Sequence, residues 1–553
     1  MVLQFARILP IGDGAVDLAS IIGKSVANLL FTITNNSSVS RCLRGLLPRA
    51  IALVVALALF GFAIVRGTWA AGGSDSSCYA LMADALAHGT IQPSLPFDSA
   101  PPWPNAALTL TPAGFFPSPA RESAASPVCA PGFALVMVPL RWAFGRGGIF
   151  LATPLAAVCL VWSAFVLARR LAGDAAAALA AAAVASSPIV LFQAAQPMND
   201  MATAAAWTAV IASATLDERR AANVMGAMTG LALLIRPNLA PVALVVALWV
   251  AVRGARATAV RRLVRFVAAA LPFVIVTAAF NTVLYGSPLR LGYGNAADFF
   301  SVRFVTTNLA HYGRALVETQ TPVLLLALAA PLLVRRSARS IVWLAFGVAA
   351  TTAVVYLLYR PFEEWWYLRF LLPAIVPALA LAAASAALLL RSPVLIGVVG
   401  VLLVAFGIRV AVTRQAFDLH RLEARFRDTG EYVRDKLPSN AVFFTVWESG
   451  TLRFHADRSA VLWDSLEPRS LDVATAWLRQ RGLEPYILLE RWEEPAFRQR
   501  FAAVSPLGML DWPPRVEIDR QVRIYAPADR DAYLAGRPVP TEYVWPAGNF
   551  RPR

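Results

Sequence analysis

The feature that most constrains this chain is an alternation. Apolar runs of about twenty residues, long enough to cross a bilayer core as helices, are separated by short gaps rich in arginine. Arg169, Arg170, Arg219, Arg220, Arg253, Arg256, Arg261, Arg262, Arg265, Arg335, Arg336 and Arg339 all fall in such gaps. Hydrophobic residues make up 58% of the chain and charged residues 15%, a membrane composition. The net charge of +16 first suggests nucleic acid. The placement of the arginines argues against it: they form the positive-inside pattern of cytoplasmic loops, not one basic face, so no nucleic-acid partner is expected.

Taken in order, Met1 to Arg49 is an N-terminal cytoplasmic or interfacial segment. Within it, Ala15 to Thr34 is apolar but carries Asp17 and Lys24, and reads as an interfacial helix. It has no clear small-residue cleavage site. Gly23-Lys24-Ser25 ends like a phosphate-binding loop, but Leu18 stands where the first glycine belongs. Ala50 to Ala70 is the first span, behind Arg41, Arg44 and Arg49, which place the N-terminus in the cytoplasm. The first external loop then runs over 71–148. In it, Ser76 to Ala87 reads as a helix stopped at His88-Gly89, Pro93 to Pro119 as irregular, and Phe133 to Phe144 as a short interfacial helix.

Further spans are expected over Ile149–Ala168, Ala175–Ala195, Met201–Leu216, Val264–Leu284, Thr321–Val334, Ile341–Tyr359, Phe370–Leu390 and Val394–Ala411. Val224 to Val252 is broken by Arg236-Pro237-Asn238 and reads as two short helices. The expectation is a mostly α polytopic bundle of about eleven spans over 50–412, with the C-terminus outside. From Thr413 to Arg553 the chain turns charged, with helix signals at Leu422–Lys436 and Leu471–Arg481. Strand signals stand at Ala441–Val446, Tyr486–Leu489 and Val522–Tyr525. This predicts a small external α/β domain over 413–553 that supports the chemistry or contacts an acceptor.

The candidate chemistry begins at Gly72-Gly73-Ser74-Asp75, just past the first span. Asp75 is either a base that takes a proton from an acceptor hydroxyl or amine, or a helix cap. Tyr79, four residues on, shares its face. Asn199-Asp200 opens another span on the same side and carries the same two readings. Two acids there either divide base and orienting roles or share a divalent ion. Arg236 lies between apolar half-helices, where a charge needs a partner such as a lipid phosphate, or snorkels to the interface. Arg360 to Arg369 is the densest external cluster. Its aromatics form an interfacial belt, Arg369 stands within reach of a phosphate, and Glu363 and Glu364 pair with arginines or bind sugar hydroxyls. Tyr293 is available on the turn after Tyr285-Gly286-Ser287-Pro288. The four histidines are scattered. Cys78 and Cys129 fall in one external loop and are either paired or free; closing a loop of roughly 50 residues stabilises by about 4 kcal/mol in the chain-entropy model.

These stretches, in this order and on this side, resemble the GT-C glycosyltransferases. The resemblance is to the branch of protein O-mannosyltransferases and the aminoarabinose lipid A transferase. The residues that carry it are Gly73-Ser74-Asp75-Ser76-Ser77-Cys78-Tyr79, Ala130-Pro131-Gly132-Phe133 and Gln196-Pro197-Met198-Asn199-Asp200. They continue with Leu234-Ile235-Arg236-Pro237-Asn238, Tyr285-Gly286-Ser287-Pro288 and Tyr367-Leu368-Arg369-Phe370-Leu371-Leu372-Pro373. The resemblance implies a polyprenyl-phosphate-linked sugar as donor and transfer at the outer face of a bacterial-type plasma membrane. In it Asp75 and Asp200 match the catalytic acids, and Arg236 and Arg369 would hold the donor phosphate. Tyr79, Asn199, Tyr293, Glu363 and Tyr367 are the substrate-contacting candidates. Members of the branch often show a paired acid in the first motif; here Ser76 follows Asp75, so a two-acid metal site inside that motif is not expected. A transporter of lipid-linked saccharide and a non-catalytic assembly protein are the competing readings. Transporters commonly show paired repeats with midplane sites, and no second copy of the Asp75 or Arg236 stretch is found.

Overall fold

The computed structural model describes residues 39–97, 101–294 and 296–545; the expected interfacial helix at Ala15–Thr34 lies outside them. Among the described residues, six helices are long and apolar enough to cross a membrane: Leu46–Val65, Arg146–Ala172, Arg256–Tyr285, Arg336–Leu357, Trp365–Leu390 and Pro393–Thr413. Two bent pairs raise the number to eight if each is one span. Eleven were expected, and the difference has local causes. Asp174–Ala185 and Pro188–Ala194 meet at 60°, where Ser186, Ser187 and the ring of Pro188 interrupt the helical ladder. Helix Asn199–Ser213 has only 15 residues, about 22 Å of rise against a hydrocarbon core of about 30 Å. Glu218–Ile235 ends at Arg236, because the residue before a proline is pushed out of the helical region; Arg236 sits at φ −145°, ψ 85°. Pro322–Leu333 meets an unforeseen helix, Val302–Thr319, at 106°.

Trp365–Leu390 is the central helix of the bundle: 83% of its apolar window is buried, against 11% for Arg256–Tyr285 and 17% for Pro393–Thr413. Alanine lets helices approach closely: Asp174–Ala185 packs on Leu372–Leu390, and Ala176, Ala180, Ala181, Ala380, Ala383 and Ala384 are all buried in one continuous core.

Strands β1 (Phe115–Pro117) and β2 (Ala125–Pro127) form an antiparallel pair within the first loop, inside and just beyond a stretch expected to be irregular. The C-terminal region holds a six-stranded sheet of β3 (Ala441–Phe444), β4 (Ser459–Val461), β5 (Glu484–Glu490), β6 (Val516–Ile518), β7 (Val522–Tyr525) and β8 (Glu542–Val544) in the order β4-β3-β5-β7-β6-β8. Its first three strands are parallel. Period-two alternation sorts its side chains: Val442, Phe444, Ile487 and Leu489 enter one core with helix Leu471–Gln480, while Ala441, Phe443, Tyr486 and Leu488 enter the other with Val433 of helix Ala424–Lys436. The first of these cores also takes Trp103 and Leu110 from the first loop, with Trp103 edge-on to Trp477 at 5.4 Å. The loop is thus built into the sheet domain rather than lying beside it.

Candidate active site

Asp75 sits in the first turn of helix Gly73–Ala87. The helix is capped by extended Gly72 with no side-chain cap bond, so Asp75 is not spent on capping. Its Oδ2 instead accepts from Arg369 Nη2 at 3.0 Å, and its side chain is 57% exposed. Asn199 and Asp200 open the next helix after the N-cap Met198, again without a side-chain cap bond. Asp200 is 1% exposed. Its Oδ1 lies 2.7 Å from Arg236 Nη2 and its Oδ2 3.9 Å from Arg369 Nε, as ion pairs; neither oxygen accepts an aligned hydrogen bond. Two carboxylates and two guanidiniums from four separate elements therefore form one continuous chain, Asp75–Arg369–Asp200–Arg236. Burying these charges is tolerable because each has an opposite charge beside it.

Other side chains set the two arginines. Asn199 Oδ1 accepts from Arg236 Nη2 at 2.7 Å, while Asn199 Nδ2 donates to Ile235 O at 3.2 Å. One amide thus ties the helix break to the neighbouring helix start. Arg236 Nη1 and Asn238 Nδ2 both donate to the Tyr356 hydroxyl, at 3.3 and 3.2 Å. The Phe370 ring lies under both guanidiniums, 5.3 Å from Arg236 and 5.1 Å from Arg369, and stacks on Tyr356 at 5.0 Å. Arg369 Nη1 points to Met198 Sδ at 3.0 Å.

The remaining candidates divide. Tyr79 is buried edge-on to Phe133 at 5.4 Å. Burial pushes its hydroxyl well above the usual phenol range, with the charges of Tyr293, Asp75 and Asp200 adding to the shift, so it stays a donor facing the cluster. Tyr293 is 42% exposed on its turn and lines a crevice with Pro237, Asn281 and Tyr285. Tyr367 stacks on Phe362 at 4.1 Å and lies under Arg369 at 5.0 Å. Glu363 and Glu364 are exposed, and the ion pairs of Arg369 go to Asp75 and Asp200 rather than to them. Cys78 and Cys129 are joined by a disulfide that fastens helix Gly73–Ala87 to the loop before helix Pro131–Phe144.

Tyr356, Phe370, Asn238 and Met198 were not singled out by sequence. Asn238, Met198 and Phe370 lie inside stretches already marked; Tyr356 lies in an apolar run with nothing to distinguish it from core. As for a divalent ion, among the described residues no group of three or more His, Cys, Asp or Glu side chains is placed to hold one. Asp75 and Asp200 are already matched by two arginines, so the residues present do not fit a resident metal, and no step below passes through one.

No protein-family model and no curated protein matches this chain. Solved structures do. The oligosaccharyltransferase of Archaeoglobus fulgidus superposes with a TM-score of 0.51 at 12% identity, over 84% of this chain and 73% of that one. ArnT from Cupriavidus metallidurans superposes at 0.50 with 15% identity, over 89% of this chain and 99% of that one. At these identities the likeness is one of architecture, and by that architecture the chain has the GT-C fold.

Proposed function

We propose that this chain is a membrane glycosyltransferase that moves a sugar from a polyprenyl-phosphate donor to an acceptor at the external membrane face, with inversion at the anomeric carbon. The observation that carries this reading is the Asp75–Arg369–Asp200–Arg236 chain, exposed at its Asp75 end and buried at the other. The acceptor oxygen or nitrogen attacks the anomeric carbon from the face opposite the phosphate. The bond from carbon to phosphate oxygen breaks with its electron pair going to the phosphate, and Asp75 takes the acceptor proton. Arg236 and Arg369 balance the charge that grows on the leaving phosphate, in a site from which water is largely excluded. A phosphate that engages Arg369 also releases the Asp75 oxygen that this arginine now holds.

Asp200 is buried and orients the arginines. Tyr79 and Tyr293 are hydroxyl donors for the sugar. The arginine gaps put the N-terminus in the cytoplasm and the first loop outside; 413–553 goes with the loop, whose Trp103 and Leu110 enter its core, and the resemblance supports a bacterial-type inner membrane. The test is sugar transfer in membranes supplied with a polyprenyl-phosphate sugar pool, comparing wild type with Asp75→Asn. Wild-type transfer with a loss of about 10²–10⁴-fold in a mutant that still inserts is the expected result for a general base. Wild type that consumes no lipid-linked sugar would sink the reading and leave transport as the leading one.

A further inference from the structure

The turn that carries Asp75 is held from a distance. Ala71, four residues before it, is fully buried, so both its backbone polar groups need partners. They find them in side chains nearly four hundred residues on. Ala71 N–H donates to His455 Nε2 at 3.2 Å, and Thr451 Oγ1 donates to Ala71 O at 2.8 Å. Both residues belong to the segment that follows β3 in the sheet domain.

The same segment closes on the turn at three more points. Gly73 adopts φ +59°, a left-handed conformation, and a Cβ there would stand 3.2 Å from the Trp447 ring. A Cβ on Gly450 would come within 2.3 Å of Ser77 Cβ. Ser449 Oγ accepts from Ala113 N at 2.9 Å, fixing the turn whose Gly114 lies against Ser74 O. The segment is itself anchored, with Arg146 donating to both oxygens of Asp457 at 3.0 and 2.8 Å and His455 lying parallel to Phe150.

We propose that Thr451 and His455 are positioning residues for Asp75: they grip the Ala71 peptide from the C-terminal domain and so set where the carboxylate stands relative to Arg369. This rests on the reading of Asp75 as the base. Neither residue touches the cluster, and both act through the backbone. The leverage is real because a misplacement of about 1 Å far from the chemistry can cost about 10²-fold in rate. His455 is suited to the task, since burial and the nearby Arg427 and Arg146 push its imidazole down to about 4. It therefore stays neutral, with a lone pair to offer, across the physiological range.

The experiment uses the full chain in nanodiscs and the double variant Thr451→Val/His455→Phe, which removes one donor and one acceptor while keeping shape and ring. Two readouts are taken: hydrogen exchange of the 68–79 segment, and kcat with KM for a polyprenyl-phosphate sugar. The expected result is exchange faster by about 10-fold in that segment alone, a local opening. With it, kcat should fall by about 10²-fold with KM for the donor within about threefold, because Arg236 and Arg369 are anchored elsewhere. Thr451→Ser, tested alone against Thr451→Val, should restore both. Unchanged exchange overturns the proposal, as does faster exchange with unchanged kcat, or activity that merely tracks the folded fraction. If wild type transfers no sugar, exchange alone decides whether the grip exists, and the catalytic reading falls separately.

Discussion

Two regions of this molecule bury carboxylates, and they neutralise them differently. In the cluster at the end of the bundle, two aspartates face two arginines within 4 Å, so charge is matched by charge. In the C-terminal domain, Glu423, Glu448, Glu490 and Glu493 gather around Arg425, which bonds Glu490 at 3.1 Å and pairs with Glu423 at 3.4 Å. Glu448 is wholly buried there and neither of its oxygens has a partner. Burial, then the charge of Glu490, pushes Glu448 well above the usual carboxylate range; burial pushes Glu493 up to about 7. There Arg425 matches Glu490 and Glu423, while burial favours the protonated form of Glu448. A charge-matched site keeps charged groups ready for a phosphate and an acceptor proton, whereas a proton-matched one is neutral packing.

The largest break in this contrast is expected from Arg236→Ala. It strands Asp200 without its close partner and should cost about 3–5 kcal/mol, read as thermal unfolding in detergent. A loss under about 1 kcal/mol would mean that Asp200 finds another counter-charge. Next comes the disulfide, whose absence in Cys78→Ala/Cys129→Ala should lower stability by about 4 kcal/mol in the chain-entropy model, measured against oxidised wild type.

The pH dependence then separates the two kinds of burial. Glu493 carries a raised value, so its contribution is present below its unfolded value of 4.5 and is lost as pH rises through about 7. His455 is lowered from 6.5 to about 4, so its contribution is present above 6.5 and is lost as pH falls toward 4. Each effect is about 3 kcal/mol at 1.36 kcal/mol per unit. Glu493→Gln should remove the loss on raising pH from 4.5 to about 7, and His455→Phe the loss on lowering pH from 6.5 to about 4; unchanged slopes there would show that neither group titrates with folding. The smallest effect is Glu448→Gln, expected within about 1 kcal/mol at neutral pH, because burial already favours the neutral form of the side chain. A large loss there would make Glu448 an ionised partner of Arg425 and erase the contrast.

Much of the local structure is legible in the residues themselves. Pro237 ends one helix at Arg236 because its ring forbids a helical residue before it. Strand Val522–Tyr525 is read to the residue from its alternation, and Glu484–Glu490 nearly so. The short loop helix at Ala106–Thr109 and the burial of Trp103 are not legible. A proline-rich stretch gives no periodic signal, and its core is supplied by a partner more than three hundred residues away. The expected eleven spans and the six to eight found among the described residues differ for a related reason: composition registers an apolar run, while Ser186-Ser187-Pro188 bends the path within one run and the turn at Gln320 stands just before another.

By itself the sequence determined that the chain is a helical membrane protein with a charged α/β end, and that acids and arginines recur at helix boundaries. Those properties depend on hydrophobic periodicity, proline geometry and charge placement, all local. Only the tertiary structure decided that Asp75, Asp200, Arg236 and Arg369 meet, that Phe370 lies beneath both arginines while the Tyr356 hydroxyl accepts from Arg236, and that Thr451 and His455 grip the turn before Asp75. The ion pairs and the grip on Ala71 join residues from 36 (236 − 200) to 384 positions apart, and a contact at that separation leaves no periodicity in either partner.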